Sequence, residues 1–270
     1  MSIKKILACT LATTAAFATL SFTGCGKEKD TLIVYTEAGF APWEFTALGT
    51  TDIIGVDMEI AEYIADKYDW ELKVVNGKFD TIVAGIAEDN ALGIAGISYS
   101  ADRAEDVEFS TFYWGDAYQT VVYKTSDNPT LIDGSFAISN FADSKLVCQT
   151  GTTSQFTIEE NAGKWGYDNT NTKSFDQVMV ALEDMKTASI EEYLIVDSQV
   201  AAQLVAENDG ISCAPIEGLE AEQYGIIAKK GNTDLIAKVN AALEELLVED
   251  ENGKTQIDKW FEEYSAIEAE

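Results

Sequence analysis

The sequence contains no histidine among its 270 residues. This absence excludes Ser-His-Asp and Cys-His catalysis, and it excludes every metal site that depends on imidazole. Cysteine is also scarce, and the four thiols show no CxxC spacing, which argues against a zinc knuckle or a dithiol redox centre. We therefore expect no metal and no cofactor. Cys148 and Cys213 could pair in an oxidising compartment, but two buried free thiols fit the sequence equally well.

Basic residues are few. Lysine and arginine together number 18 against 47 acidic residues, so the net charge is -29. A surface this acidic repels phosphate backbones, and we expect no nucleic acid partner. The acidity otherwise indicates a solvated surface and identifies no ligand. The apolar fraction of 46% and the chain length suit a globular protein with two modest domains.

Arg103 is the only arginine in the chain, and it follows a strand-like apolar run at residues 92–97 and a short polar step. A guanidinium group offers a planar fork of donors that holds a carboxylate through two hydrogen bonds, which an ammonium group does not offer. Arg103 is therefore a candidate carboxylate clamp. The alternative is a surface ion pair with one of three neighbouring acids, Asp102, Glu105 or Asp106.

Residues 1–24 have the pattern of an export signal. Two lysines begin it, and an apolar run over residues 6–22 follows, which is short for a membrane span. The run ends in FTGC, which resembles a lipobox although Phe22 stands where leucine is usual. We expect cleavage before Cys25, lipidation of Cys25, and a tether over residues 25–30. The protein would then be anchored to the outer face of the cell membrane, on the periplasmic side if the source has an outer membrane.

Two α/β series follow the tether. Residues 31–35, 72–75 and 92–97 have the composition of buried strands, and helical periodicity lies between them. This alternation predicts a parallel sheet flanked by helices. A second series begins after a polar segment. The β-runs YQTVVY at 118–123 and YGIIAK at 224–229 are candidates for paired strands that cross between two lobes.

Six short motifs occur in a fixed order along both series. They are FAPWEF at 40–45, GVDMEIAEYIA at 55–65, SYSADRAEDVEFS at 98–110, GTT at 151–153, IVD at 195–197 and YGIIA at 224–228. In this order they resemble the bacterial extracellular solute-binding proteins of family 3, the polar amino acid-binding components of ABC importers. The resemblance extends over about residues 31–264, nearly the whole mature chain. Ala101 departs from the family pattern, which has proline there.

The resemblance implies an α/β fold of the type II periplasmic-binding-protein class. Each of its two lobes would be a mainly parallel sheet flanked by helices. Residues 31–121 together with 227–270 would form the first lobe, and residues 122–226 the second. Two crossing strands would join the lobes, and a hinge motion would close the cleft on a ligand.

The resemblance also assigns the two charged ends of an amino acid ligand to particular residues. Arg103 should clamp the α-carboxylate, with assistance from Ser98 and Thr153. The Gly96 carbonyl and the Asp197 carboxylate should take the α-ammonium. A zwitterion that leaves water needs both charges matched, or its burial costs several kcal/mol. The alternative for Asp197 is a cap on the helix that begins after it.

Two aromatic rings and one acid complete the expected site. Phe40 and Phe79 should sandwich the ligand side chain, although either could belong simply to the core. Glu37 falls where related proteins place an acid that reaches the side-chain head group, and a solvated loop acid is the alternative. An acid at this position favours a side chain with hydrogen-bond donors, such as glutamine, lysine, arginine or histidine.

The leading hypothesis is a monomeric, lipid-anchored binding protein without enzyme activity. It would capture a polar L-amino acid and deliver it to the permease of an ABC importer. The alternative is a cleft enzyme of the same fold, similar to the cyclohexadienyl and arogenate dehydratases, with Glu37 or Glu44 as general acid. A third hypothesis, a membrane-spanning sensor domain, has no second long apolar run in the sequence to support it.

Overall fold

The computed structural model describes residues 29–269. The predicted export signal and the predicted lipidation of Cys25 lie outside these residues. Across the described range, no helix is both long enough and apolar enough to cross a membrane.

The described part of the chain contains fifteen strands and eight helices. In chain order the strands are β1 Thr31–Thr36, β2 Gly39–Phe40, β3 Glu44–Thr46, β4 Ile53–Ile54, β5 Glu71–Asn76, β6 Ala91–Gly93, β7 Val107–Ala117, β8 Gln119–Lys124, β9 Leu131–Ile132, β10 Ser135–Phe136, β11 Lys145–Gln149, β12 Thr172–Phe175, β13 Glu192–Asp197, β14 Ile211–Pro215 and β15 Glu222–Lys229. The helices are α1 Val56–Lys67, α2 Phe79–Val83, α3 Arg103–Asp106, α4 Thr153–Trp165, α5 Val178–Thr187, α6 Ser198–Glu207, α7 Thr233–Leu246 and α8 Gln256–Tyr264.

The first lobe is built on a five-stranded sheet with the order β5-β1-β6-β15-β7. β1 pairs in parallel with β5 and β6, whereas β15 runs antiparallel to β6 and β7. Parallel neighbours need a crossover connection that packs on the sheet, and α1 and α2 lie in these connections. Helix α1 buries Ile60, Ala61 and Ile64, which share one face because of their helical spacing. The predicted alternation of strands and helices is confirmed.

The second lobe is built on a separate sheet with the order β12-β11-β13-β8-β14. β11 pairs in parallel with β12 and β13, and β8 is antiparallel to β13 and β14. Cys148 lies on β11 and Cys213 on β14, three strand spacings away, or about 14 Å. Both thiols are free, because a disulfide cannot span that separation. Of the two alternatives for this pair, free thiols are correct.

The chain passes between the sheets at two short connections. The first is Tyr118, between β7 and β8, and the second is residues 216–221, between β14 and β15. The predicted crossing runs therefore lie beside these connections, as β8 and β15. The expectation that the two runs pair with each other is wrong. Both strands are almost wholly buried, and each has a partner on both sides within its own sheet.

An aromatic cluster fixes the loop that precedes α1. Trp43 is fully buried, and its ring centroid lies 4.9 Å from that of Trp114 and 5.1 Å from that of Tyr224. Edge-to-face contacts of this kind add to the stabilisation that burial provides. Gly55 must lack a side chain, because its φ is +127° and a Cβ would lie 2.2 Å from the Trp43 carbonyl oxygen. This packing holds the β2–β3 hairpin beside the cleft between the lobes.

Candidate functional site

A small cavity lies between the two lobes, and residues of both lobes line it. The eight ligand-binding residues predicted from the sequence all line it, namely Glu37, Phe40, Phe79, Gly96, Ser98, Arg103, Thr153 and Asp197. The wall also contains polar residues that the sequence analysis did not assign to the ligand, namely Glu44, Gln149, Thr152 and Ser154. The structure thus brings the expected residues together, and their contacts with a ligand remain predictions.

Arg103 is buried at the start of α3, with only 7% of its surface exposed. Its Nη1 donates to the Ser98 carbonyl at 2.7 Å, and its Nη2 donates across the cleft to the Gly151 carbonyl at 2.8 Å. Its Nε–H has no partner among the described residues. The guanidinium carbon lies 5.5 Å from the ring centroid of Phe79 and 5.9 Å from that of Phe156, within cation–π range.

The charge of Arg103 is therefore held inside the protein. Burial lowers the pKa of Arg103 to about 10, and the nearby acids Glu222 and Asp197 oppose this shift, so the group is cationic at neutral pH. Among residues 29–269 it forms no salt bridge with Asp102, Glu105 or Asp106. The surface ion pair considered for Arg103 is thus absent from the described structure.

Asp197 ends β13 and is 5% exposed. Its Oδ1 accepts a hydrogen bond from Gln119 Nε2 at 2.7 Å, and its Oδ2 accepts one from the Tyr224 hydroxyl at 2.5 Å. Burial, followed by the nearby charge of Glu222, raises the pKa of Asp197 to about 7, although both hydrogen bonds and Arg103 act in the opposite direction. Asp197 stands at the N-cap position of α6, but its side chain makes no capping hydrogen bond. Its side chain instead accepts hydrogen bonds from Gln119 of the second lobe and Tyr224 of the first.

The N-terminus of α4 forms the cavity wall of the second lobe. Thr152 caps the helix by accepting a hydrogen bond from Gln155 N. The Thr153 hydroxyl donates to Glu222 Oε2 at 2.7 Å, and the Ser154 hydroxyl donates to Gln119 Oε1 at 2.7 Å. The first turn of a helix leaves backbone N–H groups without helical partners, and its partial positive charge favours an anion. Together with Arg103, this end of α4 can hold a carboxylate.

Gly96 is fixed from behind by Asp57. The Gly96 N–H donates to Asp57 Oδ2 at 2.8 Å, and the Tyr113 hydroxyl donates to Asp57 Oδ1 at 2.9 Å. Gly96 has a φ of +51°, and a Cβ there would lie 2.9 Å from the ring of Phe40. Glycine therefore satisfies both the backbone conformation and the close approach of this ring. The peptide next to the cavity is held in one orientation.

Two buried acids line the first-lobe wall. Glu37 is 4% exposed and accepts a hydrogen bond from Gln149 Nε2 of the second lobe at 2.9 Å. Burial raises the pKa of Glu37, and this hydrogen bond partly offsets the shift. Glu44 is 0% exposed, and neither of its oxygens receives a hydrogen bond from any donor in the described range. Burial, then the charge of Asp57, raises the pKa of Glu44 well above its usual value.

Several residues of this site escape prediction from the sequence. Gln119 and Glu222 begin β8 and β15, so they lie at the two connections between the lobes. Gln119 Nε2 donates to Glu222 Oε1 at 2.9 Å and to Asp197 at 2.7 Å, and it thereby links the connections to the cleft. In the sequence, their role at the connections between the lobes is indicated only by their position at the ends of two β-runs. Glu44 and Asp57 lie within recognised motifs, but only the fold shows that Asp57 receives two hydrogen bonds and that Glu44 receives none within the described range.

The comparisons with known proteins agree with this architecture. The model of the bacterial extracellular solute-binding proteins, family 3, matches residues 32–263. The chain is 25% identical over 258 residues to the arginine-binding extracellular protein ArtP of Bacillus subtilis (strain 168), with coverage of 92% of this chain and 95% of that protein. It is 23% identical over 238 residues to the L-cystine-binding protein TcyJ of Escherichia coli (strain K12), with coverage of 87% and 84%.

Solved structures of similar fold include proteins bound to arginine. An ancestral arginine-binding protein bound to arginine has 28% identity and a TM-score of 0.73, with coverage of 87% of this chain and 98% of that chain. Holo ArgBP from T. maritima has 28% identity and a TM-score of 0.70, with coverage of 86% and 96%. Two separate α/β sheets, a cleft between them and a family match over residues 32–263 lead to one conclusion. The chain belongs to the bacterial extracellular solute-binding proteins, family 3.

Proposed function

We propose that this protein is an extracytoplasmic receptor that captures a cationic L-amino acid, arginine above all, and delivers it to the permease of an ABC importer. The observation that carries this proposal is the charge of the cavity wall. Among the described residues that line it, Arg103 is the only basic one, whereas Glu37, Glu44 and Asp197 are acids. A ligand that matches this wall must bring positive charge.

The α-carboxylate and α-ammonium groups of the ligand account for one acid and one base. The N-terminus of α4 would hold the carboxylate together with Arg103, whose Nε–H has no partner among the described residues. Asp197 and the Gly96 carbonyl would hold the ammonium. Glu37 and Glu44 then remain for the side chain, and a guanidinium or ammonium group is the chemistry that two buried acids favour.

The two aromatic rings suit a long flat side chain. Phe40 and Phe79 line the cavity and are 8% and 7% exposed. Aromatic faces attract a guanidinium group and supply apolar area for the methylene chain. Relatives described as arginine-binding proteins, among them ArtP, support the same ligand class.

Delivery requires a closed state that depends on the ligand. Arg103 with Gly151, and Glu37 with Gln149, already connect the lobes around the cavity. A ligand that contacts Arg103 on one side and Thr153 and Asp197 on the other favours closure, because only the closed state offers both sets of contacts. Lipid anchoring at Cys25 would keep the receptor at the membrane that holds the permease.

The test is a thermal-shift screen of the mature protein, residues 26–270, against all proteinogenic amino acids, repeated with Arg103→Lys. Ligand at about 100 times its dissociation constant stabilises the native state by about 2.7 kcal/mol. We expect a rise in Tm with arginine and a smaller rise with lysine, both lost in the variant. No rise with any amino acid, after unfolding and refolding to remove retained ligand, contradicts the proposal. Mass spectrometry of the membrane fraction tests for an acylated Cys25 separately.

A cleft enzyme is the second candidate, because Glu44 is a buried carboxyl group beside the cavity and could donate a proton. The transport-binding character of the relatives favours the receptor. Incubation with prephenate or arogenate distinguishes the two candidates. The enzyme hypothesis predicts an aromatic product that Glu44→Gln no longer forms, whereas the receptor hypothesis predicts none.

A further inference from the structure

Glu44 occupies a position that an ionised carboxylate cannot easily hold. It is fully buried, and none of the described donors reaches either of its oxygens. The titratable groups around it are Asp57 of α1, Glu37 of the loop after β1 and Tyr113 of β7. No cationic side chain is among them. An isolated buried carboxylate with further acids as neighbours is strongly disfavoured.

Of this pair of buried acids, Asp57 is the one that receives hydrogen bonds in the described structure. The Gly96 N–H and the Tyr113 hydroxyl hydrogen-bond its two oxygens. Burial raises the pKa of Asp57 to about 6, with these hydrogen bonds acting in the opposite direction. Glu44 lies within hydrogen-bond reach of Asp57 and has no donor of its own. When this acid pair shares one proton, the proton therefore resides on Glu44, which then donates to Asp57.

We propose that Glu44 determines the specificity of the cavity by exchanging its proton for the cationic side chain of the ligand. This inference rests on the proposed function. In the free protein Glu44 is a neutral carboxyl group. When a guanidinium group enters, the Glu44 O–H bond breaks, the proton leaves to the solvent, and the carboxylate pairs with the guanidinium. The guanidinium keeps all its protons, because arginine is not deprotonated in proteins.

The exchange would let the ligand-free protein avoid an unpaired buried charge and still favour a cationic ligand. A neutral Glu44 avoids the cost of an unpaired buried charge while no ligand is present. A neutral side chain of a ligand gains at most one hydrogen bond with the Glu44 carboxyl group. A cationic side chain recovers a charge-assisted pair, which is roughly twice as strong as a neutral one. The protein therefore discriminates between cationic and neutral side chains when the ligand binds.

The exchange also makes affinity depend on pH in a defined direction. The pKa of Glu44 is high in the free protein, and a bound cation lowers it, so binding releases a proton at intermediate pH. Affinity for a cationic ligand should therefore rise with pH, by up to about tenfold per pH unit for one proton released. Asp197 can release a further proton when an α-ammonium group binds, but that contribution is common to every amino acid.

The test is calorimetric titration of the refolded mature protein with arginine in buffers of different ionisation enthalpy, which counts released protons. Measurements would span about pH 5 to about pH 8. We expect the wild type to release up to about one proton more per arginine than Glu44→Gln does. The matched control is Glu192→Gln, since Glu192 is 1% exposed and its Oε1 also lacks a partner in the described structure. Glu192 begins β13, at the opposite end from Asp197, so its variant should match the wild type.

A second readout needs no assumption about the stability of the variant. The infrared difference spectrum of the wild type with and without arginine should lose a protonated carboxyl band, and citrulline, the uncharged isostere, should remove less of it. If arginine binds and the wild type and Glu44→Gln release equal numbers of protons, the exchange is wrong and the receptor function stands. If arginine does not bind to the wild type at all, both fall.

Discussion

The two lobes contribute different chemistry to one cavity. The first lobe supplies Glu37, Glu44 and the ring of Phe40, all of which are buried. The second lobe supplies the N-terminus of α4 and Asp197, groups that suit the α-carboxylate and α-ammonium of any amino acid. The acids left over for a side chain are thus both on the first lobe. In the proposed function, the second lobe would recognise an amino acid in general, with the help of Gly96, Ser98 and Arg103 of the first lobe. Glu37 and Glu44 of the first lobe would select among amino acids.

Arg103 is the exception that joins the two roles. It belongs to the first lobe, yet its Nη2 donates to the Gly151 carbonyl of the second. Because Arg103 contacts both lobes, we expect both capture and closure to depend on it. The contributions of the two lobes can be separated by four changes in residue, pH or ligand.

Arg103→Lys should have the largest effect. Lysine keeps the charge but loses the fork that reaches Ser98, Gly151 and a ligand carboxylate together. Loss of a buried hydrogen-bonded charge pair costs about 2–5 kcal/mol in binding, so we expect affinity for arginine to fall roughly thirtyfold or more. Calorimetric titration measures this, with circular dichroism as the check of fold. A variant with wild-type affinity would remove Arg103 from the site.

Asp197→Asn should separate recognition of the amino acid backbone from selection of the side chain. The change removes the charge expected to meet the α-ammonium, and hydrogen bonds to charged groups contribute about 1.5–3 kcal/mol. Affinities for arginine and lysine should therefore fall by a similar factor, on the order of tenfold to a hundredfold. Competition binding with both ligands tests the comparison. Loss of preference between cationic and neutral ligands would place side-chain selection on the second lobe instead.

The stability of the ligand-free protein should depend on pH in an unusual direction. The pKa values of Asp197 and Asp57 are raised to about 7 and about 6 by burial, and that of Glu44 is also raised. The native state then binds more protons than the unfolded state, so the free energy of unfolding falls as pH rises. The fall is up to about 1.4 kcal/mol per pH unit for each such group that titrates.

Urea unfolding between about pH 5 and about pH 8 measures this slope. Asp197→Asn should flatten the part of the slope near neutral pH, because it removes the group with a pKa of about 7. Saturating arginine should also flatten it, since bound cations favour the ionised acids. A ligand-free protein that becomes more stable from pH 5 to pH 8 would show that these carboxyl groups are ionised in the native state.

The smallest effect should come from an exposed ion pair between the lobes, formed by Lys78 and Asp176. Lys78 Nζ lies 2.5 Å from Asp176 Oδ2, and the two side chains are 60% and 55% exposed. Exposed pairs are screened by water and salt and contribute little. Asp176→Asn should change affinity for arginine by no more than a few-fold, and less at high salt. A loss as large as that of Arg103→Lys would mean that this exposed pair, rather than the cavity wall, controls closure.

The sequence predicted much of the fold and of the contact set because the relevant signals are local. A lone arginine after a strand-like run identified Arg103, and the motif order placed Phe40, Gly96 and Asp197 around one cavity. Helix α2 ends at Val83, two residues before Gly85, which adopts a φ of +146°. Local propensity did not anticipate that break.

The remaining features depend on distances that no local pattern encodes. Glu222 meets Thr153 and Gln119 only because the second connection between the lobes returns beside the first. Among the described residues, Asp57 accepts from the Gly96 N–H and the Tyr113 hydroxyl, whereas Glu44 accepts from no donor. The pairing of YQTVVY with YGIIAK failed for a similar reason. Each run satisfies its hydrogen bonds within the sheet of its own lobe.

The most direct measurement compares arginine with citrulline by calorimetric titration of the refolded wild-type protein at one pH near neutrality. The two ligands share an amino acid backbone and nearly the same shape, and they differ in the charge that Glu37 and Glu44 would meet. The account predicts that arginine binds more than about tenfold tighter, because a charge-assisted pair exceeds a neutral one by about 1.4 kcal/mol or more. Equal affinities, or tighter binding of citrulline, would contradict the claim that the acids of the first lobe select a cation.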